Sequence, residues 1–333
     1  MPGSPKKVGY VRLGNSGLKV SKIILGTMSY GDNKWQEWTV GEEEATKHIK
    51  TAYDAGIQTF DTSNVYSNGG SERILGKAIK TLQLPREEIV VITKVFMIVG
   101  KGGELLVHKQ AQGDQMGYVN QYGLSRKHIF DSMKHSLERL QLDYVDVLLC
   151  HRFDYNTPIE ETMQALNDVV KAGYARYIGM SSCWAWQFHM MQNYALTHNL
   201  TPFICMENHY SLIYREEERE MFPTLKHFGV GSIPWSPLAR GLLTRPYDAA
   251  RTKRGETDLI PRVEEIAKKR GIKMAQVALA WCLAKEHVSA PVVGASSLEN
   301  LQGLIDAVDV KLTDEEVKYL EEPYTPIKIM GHS

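Results

Sequence analysis

The sequence predicts an α/β fold: a (β/α)8 barrel with an N-terminal β-hairpin and long βα loops at the C-terminal face of the strands. Eight short runs rich in β-branched and apolar residues, at 23–26, 59–63, 89–95, 145–151, 177–182, 204–211, 230–236 and 290–296, alternate with segments of helical spacing. That is the order of parallel βα units. Most runs are continuous, as in IVVIT and VDVLL, which suits strands covered on both faces. Such a barrel takes about 250 residues, so a chain of 333 has a surplus for decoration. A doubly wound sheet is the alternative arrangement of the same units. No shift of composition marks a boundary, and residues 1–333 are read as a single domain.

YVRLGNSGLKV at 10–20 sets a glycine-containing turn between two short runs, a hairpin expected to plug the bottom of the barrel. Thr39 with Glu42 three residues on has the pattern of a capping box before the first helix. Ile129, Met133, Leu137 and Leu140, at spacings of four, four and three, mark one face of the helix after the third strand. Pro261 opens RVEEIAKKRG, which closes on a glycine, so the connection after the seventh strand reads as two helices broken at Gly271. Two connections are unusually long, 96–124 and 238–260, and both rise from the barrel face on which sites are built. Loops of that length are functional or disordered. The first, rich in Gly, Gln and His, is read as a mobile lid.

Charge and composition exclude several classes. Lys plus Arg and Asp plus Glu are both 39, so bulk charge attracts no polyanion and nucleic acid is not an expected partner. An apolar share of 43% excludes disorder. MPGSPKKVGY lacks the apolar core of an export signal, and no uncharged apolar stretch reaches roughly eighteen residues, so no membrane span is expected and a cytoplasmic location is. Cys150, Cys183, Cys205 and Cys282 are widely spaced, without a CxxC pair, and read as free thiols of a reducing compartment. Asn199-Leu200-Thr201 fits a glycosylation sequon by chance.

Three adjacent strands each bring one ionisable group to the mouth: Asp61, Lys94 and His151. A buried charge is costly unless paired, and Asp61 with Lys94 supplies a pair. Standing alone, that pair also reads as a structural salt bridge. Tyr66, five residues after Asp61 on the same loop, can fold its hydroxyl toward Lys94 and His151. No HxH or HExxH pattern is present, so no metal is expected. His48, His135 and His227 lie in helical segments and read as surface or packing residues.

GTMSYG, FDTSNVYSNGGSE, ITKV, LLCHRFD, YIGMSSCWAW, MENHYSLIYREEERE, PWSPLARGLLTRP and PVVGASSLENL together resemble the aldo-keto reductase superfamily over essentially the whole chain. They are most similar to its fungal aryl-alcohol dehydrogenase-like and versiconal hemiacetal acetate reductase-like members. The resemblance implies a catalytic tetrad of Asp61, Tyr66, Lys94 and His151. It also implies NADP(H)-dependent reduction of aldehydes or ketones to alcohols, with NADP preferred over NAD. A carbonyl needs a hydride donor that no side chain supplies, hence a nicotinamide. It also needs a proton, for which the resemblance offers Tyr66, its pKa lowered by Lys94, while His151 orients the carbonyl.

For the cofactor, the resemblance places Trp235 on the nicotinamide face and Thr27, Met28 and Asp61 beside it. Ser236, Pro237, Leu238, Arg240 and Gly241 follow the pyrophosphate, with Arg245 as a further candidate. Gly294, Ser296 and Asn300 sit at a helix start suited to a phosphate. Trp235 also reads as an ordinary core indole. The carboxamide positions are Ser181, Ser182 and Glu207, where the family commonly has Ser, Asn and Gln. An ionised Glu207 accepts but cannot donate, and it is expected to favour the oxidised cofactor. At the adenine end Gly303 and Leu304 replace the frequent Glu and Asn, and Ser297 stands where a basic residue often follows the strand. Tyr30, Trp35, Trp38 and Phe96, with Met28, are expected to form an aromatic substrate cup for flat hydrophobic carbonyls. Trp35 and Trp38 read equally as staples for the first helix. The alternatives to an active reductase are a nicotinamide-binding regulatory protein like potassium-channel beta subunits, against which REEERE reads as a solvated helix, and an inactive barrel. The sequence leaves monomer or small homo-oligomer open.

Overall fold

The computed structural model describes residues 7–101, 110–246 and 259–332. Strands β1 (Tyr10–Arg12) and β2 (Lys19–Ser21) pair antiparallel as the expected hairpin. The barrel strands are β3 (Ile24–Gly26), β4 (Thr59–Asp61), β5 (Val90–Val95), β6 (Val145–Cys150), β7 (Ala175–Ser181), β8 (Phe203–Glu207), β9 (Gly231–Ser232) and β10 (Val292–Val293). They form one parallel sheet in the order β10-β3-β4-β5-β6-β7-β8-β9. Trp235, just beyond β9, bridges Val292 of β10, and the Val292 N–H donates to the Pro234 carbonyl at 2.8 Å. The sheet therefore closes on itself, as a (β/α)8 barrel does and a doubly wound sheet does not. The strands β4, β8, β9 and β10 stop before their apolar runs do, the last residues of those runs leaving the ladder, whereas β7 starts two residues ahead of its run and β8 one.

Helices α1 (Glu42–Ala55), α2 (Gly70–Thr81), α3 (Arg126–Leu140), α4 (Ile159–Lys171), α5 (Ala185–Thr197), α6 (Met221–Phe228), α7 (Leu259–Arg270) and α8 (Met274–Leu283) run between the strands, and α9 (Leu298–Asp306) and α10 (Asp314–Glu321) follow the last. On α3, Ile129, Met133 and Leu140 are buried and Leu137 packs at the margin, so the apolar stripe faces the sheet. The break between α7 and α8 falls at Gly271, whose φ of 64° is left-handed. The Thr39–Glu42 capping box does not form. Val40 pairs with Tyr30 in a β-bridge, the Thr39 hydroxyl donates to the Gln36 carbonyl, and α1 begins on Gly41 without a side-chain cap.

The hairpin closes the bottom. Leu13 and Val20 are fully buried with Ile24, Ile92, Val147, Leu149 and Ile233 of the barrel interior, worth about 1.5–3 kcal/mol for each such side chain. Gly14 makes the approach possible: its φ is 55°, and a Cβ there would lie 2.5 Å from the Gly229 carbonyl oxygen. All four cysteines are free and buried. Among the described residues no helix is long and apolar enough to cross a membrane, and no group of His, Cys, Asp and Glu is placed to hold a metal. Of the two long loops, 102–109 and 247–258 lie outside the described residues, so the lid expectation falls partly there. The described part of the first loop is tied down: Lys101 N–H donates to the Tyr118 hydroxyl at 2.8 Å, and Gly123 N–H to the Phe96 carbonyl at 2.8 Å.

Candidate active site

Parallel pairing sets Asp61 opposite Ile92, so Lys94, two residues on, projects toward the barrel interior beside Asp61. The Lys94 ammonium meets three acceptors: Asp61 Oδ1 at 2.5 Å, the Thr62 carbonyl at 3.0 Å and Glu207 Oε2 at 3.2 Å. The first two are hydrogen bonds and the third is an ion pair. Asp61, Lys94 and Glu207 are each at most 2% exposed. Burial pushes both carboxyls upward against the pull of Lys94, Glu207 to about 8. Burial also pulls the lysine down, but its two carboxylates outweigh that and raise it. One cation cannot neutralise two buried carboxylates, so near neutral pH the pair retains a shared proton.

Tyr66 opens the turn Tyr66–Gly69. The next two residues, Ser67 and Asn68, are left-handed at φ 49° and 53°, and two loops hold them there. Asp32 N–H donates to Ser67 Oγ at 2.8 Å, and Asn68 clasps the backbone of Gly100 through both its side-chain atoms. This fixes the half-buried Tyr66 ring with the Lys94 ammonium 5.2 Å from its centroid and the His151 ring edge-on at 5.9 Å. The expectation of a lowered phenol pKa is corrected. Burial, supported by Asp61 and Glu207, outweighs Lys94 and Arg152 and drives Tyr66 up to about 12. Tyr66 is thus protonated at neutral pH. Burial, with Arg152 and Lys94, holds His151 well below the usual imidazole range, so it is neutral, and its Nδ1 faces Ser63 Oγ at 3.2 Å.

The structure brings the four tetrad positions and Glu207 to one mouth. It also brings Arg152, which the sequence reading left unassigned within HRFD. Its guanidinium donates to the His151 carbonyl at 2.5 Å, and its charge acts on Tyr66, Glu207 and His151. His209, equally unassigned, underlies Trp235 in a stack with centroids 4.1 Å apart, with Tyr214 on its other face at 4.1 Å. The signal for it was the alternation of aromatic residues in NHYSLIY.

Ser182 adopts a left-handed φ of 45°, and its Oγ accepts from Trp235 Nε1 at 3.0 Å. The Ser181 hydroxyl donates to the Glu207 carbonyl at 2.8 Å. After half-buried Trp235 and Ser236, buried Pro237 and half-buried Leu238, the chain is left-handed at Ala239, Arg240 and Gly241, leaving a surface loop with exposed Arg240. Arg245 is exposed. Thr27 is buried, its hydroxyl donating to the Asp61 carbonyl at 2.9 Å, so it braces the site from below. Met28 is 42% exposed at the rim. Gly294, Ser296 and Asn300 are exposed around the start of α9, where Ser297 is the N-cap, accepting from Asn300 N–H at 3.2 Å. Lys273 reaches this end from the α7–α8 turn and pairs with Glu299 at 2.6 Å.

In the substrate cup, Trp35 packs beside Tyr66 with centroids 6.4 Å apart and meets Trp38 edge-on at 5.9 Å. Phe96 packs on Tyr122 at 4.7 Å. Tyr30, expected in the cup, is fully buried against His48, because its strand-like bridge to Val40 turns the ring into the core. His48 is therefore a packing residue, while His135 and His227 are exposed. REEERE is not a solvated helix. Glu216 and Glu217 are buried and hold the C-terminal segment: Tyr324 OH donates to Glu216 at 2.6 Å, and His332 pairs with Glu217 at 2.9 Å.

Residues 22–324 match the model of the aldo/keto reductase family. The chain belongs to this family. It is 48% identical to versiconal hemiacetal acetate reductase of Aspergillus parasiticus, over 95% of this chain and 97% of that protein. It is 49% identical, over 97% of each, to a Schizosaccharomyces pombe protein assigned by name to the aryl-alcohol dehydrogenases. An aldo-keto reductase of Metarhizium robertsii is 45% identical over 99% of this chain and 95% of its own. Membership makes the protein an oxidoreductase of small carbonyl compounds, in a family that generally uses nicotinamide cofactors. In this aldo/keto reductase the mouth fits such a group: a half-buried indole backed by a stacked imidazole, a run of left-handed residues at the loop beyond it, and an exposed helix start after the neighbouring strand β10.

Proposed function

We propose that this aldo/keto reductase reduces aldehydes or ketones, aromatic or hydrophobic ones foremost, to alcohols with NADPH, and that Tyr66 gives the proton. The observation that carries this reading is the buried Lys94 ammonium, held by two carboxylates beside a phenol that stays protonated. Trp235 would take the nicotinamide ring, Ser181 and Ser182 its carboxamide, residues 236–241 the pyrophosphate, and Gly294, Ser296 and Asn300, with Lys273 nearby, the phosphate at the adenosine end. When bound, the nicotinamide supplies a hydride to the carbonyl carbon.

The chain's own groups do the rest. Neutral His151, accepting at Nδ1 from the Ser63 hydroxyl, keeps its proton on Nε2 and orients the carbonyl oxygen by donating to it. The Tyr66 hydroxyl transfers its proton to that oxygen as charge develops, and Lys94 stabilises the phenolate left behind. Trp35 and the Phe96–Tyr122 pair favour flat substrates and exclude water. The relatives' names, a hemiacetal acetate reductase and an aryl-alcohol dehydrogenase, point the same way. The test is NADPH consumption by the purified protein with a panel of aryl and aliphatic aldehydes and ketones. Turnover is expected to be fastest with aryl carbonyls, and no turnover with any member, alongside tight NADPH binding, would refute it.

A further inference from the structure

Asp61, Tyr66, Lys94 and His151 suffice for the proton transfer, yet a second carboxylate, Glu207, shares the lysine. Glu207 ends β8 and reaches Lys94 Nζ at 3.2 Å, and apart from that contact its Oε2 has no hydrogen-bond partner among the described residues. The charged and titratable groups facing it are Asp61 from the end of β4, Tyr66 from the loop beyond, Lys94 from β5, Arg152 after β6 and Cys205 on its own strand. Ser181 of β7 meets only its backbone carbonyl. With Glu207 protonated, Asp61, Lys94 and Glu207 sum to zero. Ionised, they sum to minus one, and a phenolate on Tyr66 would then add a second uncompensated charge. The two ionisations oppose one another through the lysine they share.

We propose that Glu207 is a positioning residue that sets the pH range over which Tyr66 exchanges its proton: ionised, it divides the Lys94 charge between two carboxylates and keeps Tyr66 protonated to higher pH. This rests on the proposed reductase activity. In reduction the phenol O–H bond breaks and its proton goes to the carbonyl oxygen while the hydride from NADPH goes to carbon. In oxidation the alcohol proton must go to a phenolate and the hydride to NADP+. The affinity of Tyr66 for its proton enters both steps, and at any one pH the ratio of their kcat/KM values is fixed by the overall equilibrium.

The sign follows. Below about pH 8 Glu207 is neutral and resembles glutamine, whereas above it the carboxylate raises the Tyr66 pKa. For alcohol oxidation with NADP+, the ratio of the Glu207→Gln rate to the wild-type rate is therefore expected to rise about tenfold between about pH 6 and about pH 9, one pK unit being tenfold in phenolate. Glu207→Asp, with the carboxylate drawn back, should fall between. A mutant-to-wild-type ratio constant across pH, as lost packing or a lost cofactor contact would give, overturns the proposal.

A second readout needs no turnover. In protein labelled with 13C at the glutamate carboxyls, one carboxyl should titrate near pH 8 and be missing from Glu207→Gln. If none titrates above pH 6, this inference falls and the reductase reading stands. If that carboxyl titrates but no carbonyl is reduced, the reductase reading falls and takes this inference with it.

Discussion

The Trp235 indole lies flat on the His209 imidazole, centroids 4.1 Å apart and planes 8° from parallel, while its Nε1 donates to Ser182. One face is thus held rigidly and the ring cannot tilt. Such a platform is suited to stacking a planar ligand, and base–aromatic stacking is worth about 1–3 kcal/mol. Trp235→Ala should weaken NADPH binding by roughly ten- to a hundredfold in a fluorescence titration, and Trp235→Phe should retain most of the affinity. Equal affinity in the alanine variant would take the indole out of the cofactor site.

Lys94 is shared by two carboxyls that burial has pushed upward and that keep one proton between them near neutral pH. Removing it strands them, and breaking a buried pair costs about 3–5 kcal/mol. Lys94→Met should lose roughly that stability in urea unfolding and lose turnover as well. Adding Asp61→Asn and Glu207→Gln should restore much of the stability while leaving the protein inactive, which separates the structural from the chemical share of the cluster.

Burial lowers His48, His128 and His151, and takes His209 to about 3 and His287 to about 4. Unfolded, each titrates near 6.5, so between those values the unfolded chain binds more protons. Stability is therefore full above about pH 6.5 and is lost as pH falls toward 4 and below. Glu207 acts oppositely: raised by burial to about 8, its contribution is lost as pH rises from its unfolded value, near 4.3, through 8. Calorimetric Tm should fall steeply below about pH 6, and Glu207→Gln should gain on wild type progressively from about pH 4.3 to about 8 and level off above that.

Much of this was legible in the chain. The continuous runs at 89–95 and 145–151 fixed strands because both faces of a barrel strand are apolar. Asp61, Lys94 and His151 stood out because ionisable groups end such runs only at cost. Legibility stopped where a contact spans the chain. REEERE looks solvated until Tyr324 and His332, more than a hundred residues on, cover Glu216 and Glu217. Thr39 and Glu42 have a capping pattern, but the bridge between Tyr30 and Val40 takes the backbone elsewhere and buries Tyr30 with it. Glu207 drew notice only as a departure from glutamine, because nothing local says that β8 curls it onto Lys94. The upward shift of Tyr66 was missed for the same reason: desolvation is a property of the assembled mouth.

The central claim is that Tyr66 is the proton donor. The most direct measurement is single-turnover reduction of an aryl aldehyde by Tyr66→Phe, with NADPH affinity measured on the same sample. The phenyl ring preserves the packing against Trp35 and His151, so NADPH binding should stay within about twofold while the rate falls by roughly a hundred- to ten-thousandfold, the usual worth of a positioned acid. Reduction within about tenfold of wild type, below the range of a positioned acid, would contradict the account.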